Sequence, residues 1–578
     1  MDTNNKIFIS KEPRKDIQIT LPDKRVINGY RGAQLTALLS LLDEWDGAKI
    51  VGAIVDGELR ELTFPIEKDS TVIPVNMRTS DGSKIYRRSL TFLLETAFHE
   101  LFPDDFLSVD HSVPNGGYFS KVIGREQLTA KEVKNLETHM CELVEQDLPI
   151  DKEKVDLAEA IKYFKEKEYQ DKLQLLKYRK KDYLVLYQLN AHRDYHHGYM
   201  VPSTGYLNVF KLIHHDDGFI LQYPRRATPT QLFPMPKYRN LLDIFQQYGS
   251  WLQSLDIDSM ASLNDAILNG NIREVILVSE ALHEQKIAQI ATTINERISE
   301  LKIISIAGPT SSGKTTFSKR LAVQLLTHGI SPFALEMDNY FVERDKTPLD
   351  EDGKPNFEAF EALDSQLMEH DLSLLLEGKE VTLPRYNFRT GKREVGDTVR
   401  ISENQIIVIE GIHGLNPDLI KEISRTKKFL IYASCLTQLN LDHYNRISTT
   451  DSRLIRRIVR DARTRGYSAM RTVQLWESVR RGEREYIFPY QENADAIFNS
   501  ALVYELAALK PSAEPLLRQI PHGTAEYLEA KRLLAFLEWF LPVNTELIPD
   551  NSIVREFIGG SILSDFHLWK NSPIDQIK

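Results

Sequence analysis

Residues 308–315 read Gly-Pro-Thr-Ser-Ser-Gly-Lys-Thr, a set of types and spacings suited to holding nucleotide phosphates. Gly308 and Gly313 let the backbone N–H groups of the turn through Pro309, Thr310, Ser311 and Ser312 wrap an anion. Lys314 brings a point charge to the β and γ phosphates, and the Thr315 hydroxyl suits Mg2+. An apolar run, KIISIA, enters the turn, and TTFSKRLAVQLL, beginning at Thr315 and Thr316, leaves it as a helix with its positive end toward the phosphates. A chance glycine-rich turn would not bring strand, loop and helix together.

Two carboxylates follow at the ends of later apolar runs: Asp338 after SPFALEM and Glu410 closing NQIIVIE. In an open parallel sheet, ligands bind beyond the carboxyl ends of the strands. One carboxylate there can take the proton of an attacking hydroxyl while the other serves Mg2+. A single such carboxylate is commonly an N-cap; two of them after a phosphate cradle point to catalysis. Arg453, Arg457 and Arg460 then recur at spacings of 4 and 3, on one helical face, with Arg465 just beyond. Alone, they suit a solvated basic face partnered by Asp461. Beside a cradle they read as a lid that stabilises charge on a phosphoryl group in transfer.

The elements that must position these groups alternate strand and helix from about 301 to 500. This predicts an α/β domain, a P-loop NTPase-type parallel sheet with helices on both faces. Ahead of it stand two α+β modules, at 1–80 and 81–235, and a helical connector at 236–300; a helical segment, 501–578, follows. Within the first module GAQLTALLSLLDEW reads as a helix. In the second, 129–148 and a charged stretch near 151–180 read as helices, and DYLVLYQL, YLNVFKLI and GFILQY as strands.

At 578 residues the chain exceeds one core. Its net charge of −10 argues against broad non-specific nucleic-acid binding. Two distant cysteines, Cys141 and Cys435, exclude a disulfide framework and a cysteine-rich zinc site. The opening MDTNNKIFISKEPRKD has no apolar signal core, and no run of 18 apolar residues occurs. A cytoplasmic enzyme without membrane attachment is expected.

The strings GPTSSGKTT, MDNYF, PNFEAFEALD, LPRYNFRTGKR, VIEGIHGLN and RRIVRDARTRG, in this order, resemble the uridine kinase branch of the uridine kinase/phosphoribulokinase family of P-loop kinases. The resemblance covers about a third of the chain. It implies transfer of the γ-phosphate of ATP or GTP, with Mg2+, to the 5′-hydroxyl of a nucleoside such as uridine or cytidine. It makes Asp338 the general base, Lys314 a catalytic phosphate ligand, and Thr315 with Glu410 the organisers of Mg2+. Arg457, Arg460 and Arg465 become lid and phosphate residues. Tyr340, Phe357, Glu358 and Tyr386 become nucleoside-site residues, Glu358 standing where the family has aspartate. Gly391 stands where the family tends to carry a histidine, and Tyr467 where another arginine is frequent. These departures touch acceptor recognition, so a kinase of another sugar-like hydroxyl stays open, as does an RNA-binding regulatory NTPase. Kinases of this kind often assemble as homo-oligomers, and the tail offers apolar surface.

In the front half, TLPDKRV, GAIVDGELREL and DGSKIYRRS resemble a TGS domain, and HRDYHHGYMVPSTGYLNVFKL resembles the editing-type domain of threonyl-tRNA synthetases. That editing site needs a His-x-x-x-His pair, a cysteine and a histidine. The matching positions here are Arg88, Phe92, His196 and Met200, so editing by that chemistry is not expected. His192, His196 and His197 form a histidine-rich turn in which the sequence shows no complete metal-ligand set, and a surface or structural role is expected. A small effector or RNA is the expected partner of this half.

Overall fold

The computed structural model describes residues 14–566 except 43, 236, 237, 352, 403, 438 and 565. Residues 1–13 and 567–578, the end of the expected helical tail among them, therefore fall outside the described residues. Among those described, no helix is long and apolar enough to cross a membrane.

The chain divides into two compact units. The first comprises residues 1–236 with two later segments, 442–446 and 521–528. It opens with β1 (Asp16–Thr20), β2 (Val26–Tyr30), β3 (Ala33–Gln34), α1 (Leu35–Leu39), β4 (Ile50–Val55), β5 (Glu58–Arg60), β6 (Pro65–Ile66) and β7 (Ser70–Asn76). Five of these strands form a sheet in the order β2-β1-β7-β4-β5, and β3 pairs with β6 apart from it. The helix read over GAQLTALLSLLDEW is confined to α1. The chain closes into a Trp45–Ala48 bridge through Asp46 and Gly47, both at positive φ, so the backbone turns before a second helical turn can form.

Next come α2 (Ser80–Leu101), β8 (Phe106–Val113), β9 (Gly117–Ile123), α3 (Ala130–Glu145), β10 (Asp151–Asp156), α4 (Leu157–Glu166), α5 (Gln170–Leu176), β11 (Tyr183–Leu189), β12 (His192–Asp194), β13 (Lys211–His215) and β14 (Gly218–Gln222). Thr79 caps α2, accepting from the Gly82 N–H at 3.0 Å, so DGSKIYRRS opens this long helix rather than closing the preceding module. The charged 151–180 stretch is not one helix. Its first six residues pair antiparallel with β11, from Asp151↔Gln188 to Asp156↔Tyr183, and only Val155 of the six is buried. A partner strand has overridden local composition.

The second unit carries α6 (Arg239–Ser254), α7 (Met260–Leu268), α8 (Ile272–Glu296), β15 (Ile303–Ala307), α9 (Lys314–Thr327), β16 (Ser331–Glu336), α10 (Ser365–Leu376), β17 (Val381–Asn387), β18 (Lys392–Val399), β19 (Gln405–Glu410), β20 (Lys428–Ser434), α11 (Thr449–Thr464), α12 (Ala469–Tyr486), β21 (Ala496–Asn499), α13 (Glu505–Leu517), α14 (Ala525–Leu537) from Glu529 onward, and α15 (Arg555–Ile558). Five strands form the parallel sheet β16-β19-β15-β20-β21. All of β15 is buried, both alternating sets of side chains alike, as a strand covered on both faces requires. Phe333, Leu335, Ile407 and Ile409 pack with Met368, Leu372 and Leu375 of α10. The fold is the expected α/β one. The β17–β18 hairpin and the fifth strand, AIFN of β21, are additions to the expected set of elements.

Candidate functional site

β15 delivers residues 308–313 to the start of α9. The turn needs the left-handed region at two positions, Ser311 (φ 60°) and Gly313 (φ 83°). A Cβ at Gly308 would collide with the carbonyl oxygen of Ala433, so glycine there permits close passage beside β20. Gly313 caps α9 without a side chain, so the N–H groups of its first turn are directed at the turn's interior. The Lys314 ammonium donates to Pro309 O at 3.3 Å. The Thr315 hydroxyl donates to Glu410 Oε1 at 3.0 Å.

Parallel register aligns Glu336 with Glu410, and Ile306 with Glu410, so β15, β16 and β19 end together. Asp338 follows β16 in a single 3-10 turn, Met337–Tyr340. Its side chain reaches solvent, yet the surrounding walls of the cleft raise its pKa, while Lys314 pulls it back, Glu336 raises it and Arg465 lowers it. Burial likewise pushes Glu410 up to about 7, against the pull of Lys314 and with a further push from Asp338. Lys314 thus feels both strand-end carboxylates. Hydroxyl and carboxylate oxygens 3.0 Å apart at Thr315 and Glu410 are hard donors of the kind Mg2+ takes.

Further around the cleft stand Glu358, Tyr386 and Arg457. Burial pushes Glu358 up to about 7, helped by Glu483 and opposed by Arg457 and Lys314. Glu358 Oε2, Tyr386 Oη and Arg457 Nη1 are buried, and none has a hydrogen-bond partner in the protein. Glu358 lies within electrostatic reach of Arg457, Lys314 and Asp338, so its unpartnered oxygen belongs to the same cleft as the strand-end carboxylates. The Tyr386 backbone N–H donates to Asn339 Oδ1 at 3.2 Å, tying the hairpin to the turn that carries Asp338. Phe357 lies nearby in sequence and is 41% exposed.

Two expectations are corrected, and the pairing with Asp461 is extended. Tyr340 is a core residue, 1% exposed, with its hydroxyl donating to Asp371 at 3.1 Å, so it does not face an acceptor. Arg453 does not share a phosphate-facing role with Arg457 and Arg460. It is buried against Glu483 (2.8 Å) and donates to Thr310 O at 3.1 Å, bracing the cradle from behind. Arg457, Arg460 and Arg465 converge on buried Asp461, at 3.2, 2.9 and 3.5 Å, so Asp461 orients the whole group.

The sequence reading missed four bracing residues. Arg456 reaches Ser311 O at 3.4 Å and pairs with Glu505, and Ser500 donates to Ser312 O. Arg456 lies within a motif string but off the counted face; Ser500 and Glu505 carry no local signal. Nor does Glu556, whose carboxylate accepts from the Thr316 N–H (3.3 Å) and hydroxyl (2.8 Å). Thr316, expected to hold phosphate, is therefore engaged by an anionic side chain of α15. His413 is buried, its ring 5.4 Å from that of Phe360, as a packed turn residue.

Residues 303–507 match the model of the phosphoribulokinase/uridine kinase family. The N-terminal region is similar to threonine–tRNA ligases. With that of Thermotoga neapolitana the chain is 28% identical over 199 residues, 34% of this chain and 30% of the relative. With that of Symbiobacterium thermophilum it is 29% identical over 198 residues, again 34% and 30%. The chain thus spans under a third of the length of these relatives. A solved structure described as a possible uridine kinase from Bacillus stearothermophilus aligns with 37% of this chain and 98% of its own, at 21% identity and a TM-score of 0.26. Residues 303–507 thus match a kinase family, and the N-terminal region resembles part of a synthetase.

Proposed function

We propose that this phosphoribulokinase/uridine kinase-family domain transfers the γ-phosphate of ATP or GTP to the 5′-hydroxyl of a nucleoside. The observation that carries the reading is Asp338, a carboxylate beyond β16 whose proton affinity is raised by its cleft and drawn down by Lys314. Asp338 takes the proton as the acceptor oxygen bonds to phosphorus, and the bond from that phosphorus to the β-γ bridging oxygen breaks, releasing the nucleoside diphosphate. Lys314 and the α9 N-terminus meet the charge on the phosphates, and Arg457, Arg460 and Arg465 supply further positive charge. Thr315 and Glu410 would hold Mg2+, which neutralises phosphate charge when bound. Glu358 and Tyr386 supply polar atoms for the sugar, and Phe357 an exposed ring for stacking.

One observation favours a second acceptor class. At Gly391, where resembling kinases tend to carry histidine, the space a Cβ would enter is filled by the Arg344 side chain. An arginine there suits an acceptor with an anionic group better than a neutral base. The test is ADP release with Mg2+, ATP and a panel of nucleosides and sugar derivatives. Stimulation by one acceptor, reduced on the order of 10²- to 10⁴-fold in Asp338→Asn, supports transfer. ADP release indifferent to every acceptor but raised by RNA would instead make the protein a regulatory NTPase. For the front half we retain RNA or a small effector as partner. Kinetics of the full chain unchanged by tRNA and by candidate effectors would remove that role.

A further inference from the structure

We infer that Glu95, His99 and His192 form a binding site for a divalent transition-metal ion of the Zn2+ type in the first unit. Glu95 and His99 lie one turn apart on α2, and His192 opens β12. One ligand atom from each lies within 4.8 Å of the others. His192 Nε2 sits 2.6 Å from Glu95 Oε1, and the His99 and His192 rings stack at 4.8 Å and 26°. Two imidazoles and a carboxylate form a set that Zn2+ uses with its fourth position open. Metal–ligand bonds of about 2.0–2.1 Å in a tetrahedron place ligand atoms roughly 3.3 Å apart, so seating the ion needs the contacting pair to part by less than about 1 Å.

The surroundings complete the case. Glu95 is wholly buried, and its second oxygen is held by His196 Nε2 at 2.9 Å. The Tyr444 and Tyr169 hydroxyls meet His99 Nε2 at 3.2 and 3.3 Å. Such outer partners fix ligand orientation. Glu95, Asp194 and Asp442 bring three carboxylates together, and the ammonium that pairs with the two aspartates is Lys172, at 3.0 and 3.2 Å. In the alternative triad, Glu95, Asp194 and His196, the Asp194 carboxylate is already ion-paired with Lys172 at 3.0 Å. The site differs from the inherited editing positions 88, 92, 196 and 200: its helical pair lies seven residues, two turns, further along α2.

The experiment uses the full chain, stripped with EDTA and dialysed, without nucleotide. It is titrated with Co2+ and then Zn2+ while visible absorption and calorimetry are recorded. We expect one equivalent of Co2+ with the absorption of nitrogen ligation, displaced by Zn2+. His192→Asn should weaken uptake at least 10- to 100-fold, and Glu410→Gln should leave it unchanged. Wild-type protein with unaltered circular dichroism that takes up neither ion at micromolar concentration overturns the site. So does uptake retained in folded His192→Asn, or lost in Glu410→Gln, which places the ion at the phosphate cradle. If His192→Asn does not fold, the wild-type stoichiometry and absorption decide. None of these readouts depends on kinase activity.

Discussion

Glu358 and Asp338 are two acids at one cleft, given different work by different surroundings. Burial raises both; at Asp338 Lys314 and Arg465 oppose the rise, whereas Glu358 is taken up to about 7 with a further push from Glu483. In the folded protein Glu358 therefore keeps its proton between its ordinary value and about 7, a range in which the unfolded chain has lost it. Stability falls as pH rises through that window, and the full penalty stands above about 7. Glu358→Gln should accordingly raise the melting temperature more at pH 8 than at pH 5, measured by differential scanning calorimetry. If ionised Glu358 receives acceptor hydroxyls, kcat/KM for the acceptor climbs through about pH 7 in the wild type. In the variant it stays flat and lower by roughly one to two orders of magnitude, the loss of a charged hydrogen bond. A sloping profile in Glu358→Gln would assign the titration to another group.

At the scale of elements, three helices determine what the cleft presents. Helix α11 divides its arginines: Arg453 and Arg456 point inward to carbonyls of the cradle, and Arg457 and Arg460 remain with Asp461. Helix α12 comes so close at Gly482 that a Cβ there would overlap the Cβ of Glu358. Gly482→Ala should therefore push Glu358 out of place, raising the acceptor KM roughly tenfold, about the cost of 1–3 kcal/mol of overpacking, while the ATP KM stays near wild type. Steady-state kinetics in both substrates would check the split. Helix α15 places the Glu556 carboxylate on the Thr316 N–H and hydroxyl. An anion at a helix N-terminus competes with phosphate for the same donors. Removing its charge in Glu556→Gln should tighten ADP binding by roughly three- to tenfold, measured by calorimetry. Unchanged affinity would mean that the nucleotide does not use Thr316.

At the scale of the molecule, the first unit is not sequence-continuous. Residues 442–446 lie between β20 and α11 in the chain and belong to it. There His443 O accepts from Val109 N at 2.8 Å, Asn445 accepts from the His197 N–H at 2.8 Å and donates to Tyr195 O at 3.0 Å, and Asp442 pairs with Lys172. A fragment ending at 236 loses all four interactions, one of them a buried ion pair. It should unfold at clearly lower urea than the same residues in the whole chain. The expected loss is on the order of 3–5 kcal/mol, read by hydrogen exchange of peptides from α2 and β11. Equal protection in fragment and full chain would contradict this.

The sequence by itself determined the phosphate cradle, the alternation that makes a parallel sheet, and the strand-end carboxylates. Each is written in consecutive residues whose backbone geometry and periodicity are local. Its expectation that editing chemistry is missing rests on the residue types at 88, 92, 196 and 200 alone. The sequence did not separate Tyr340 from Tyr386. Both stand in motif strings and both are buried; which hydroxyl finds a protein partner depends on α10 supplying Asp371 to Tyr340. Nor did it disclose that Glu95 and His99 complete the histidine turn, that Arg456 braces the cradle, or that Glu556 sits on Thr316. Those meetings join residues 97, 145 and 240 positions apart. Only the packed chain decides them, because burial and pairing are properties of what surrounds a side chain, not of the residues beside it in sequence.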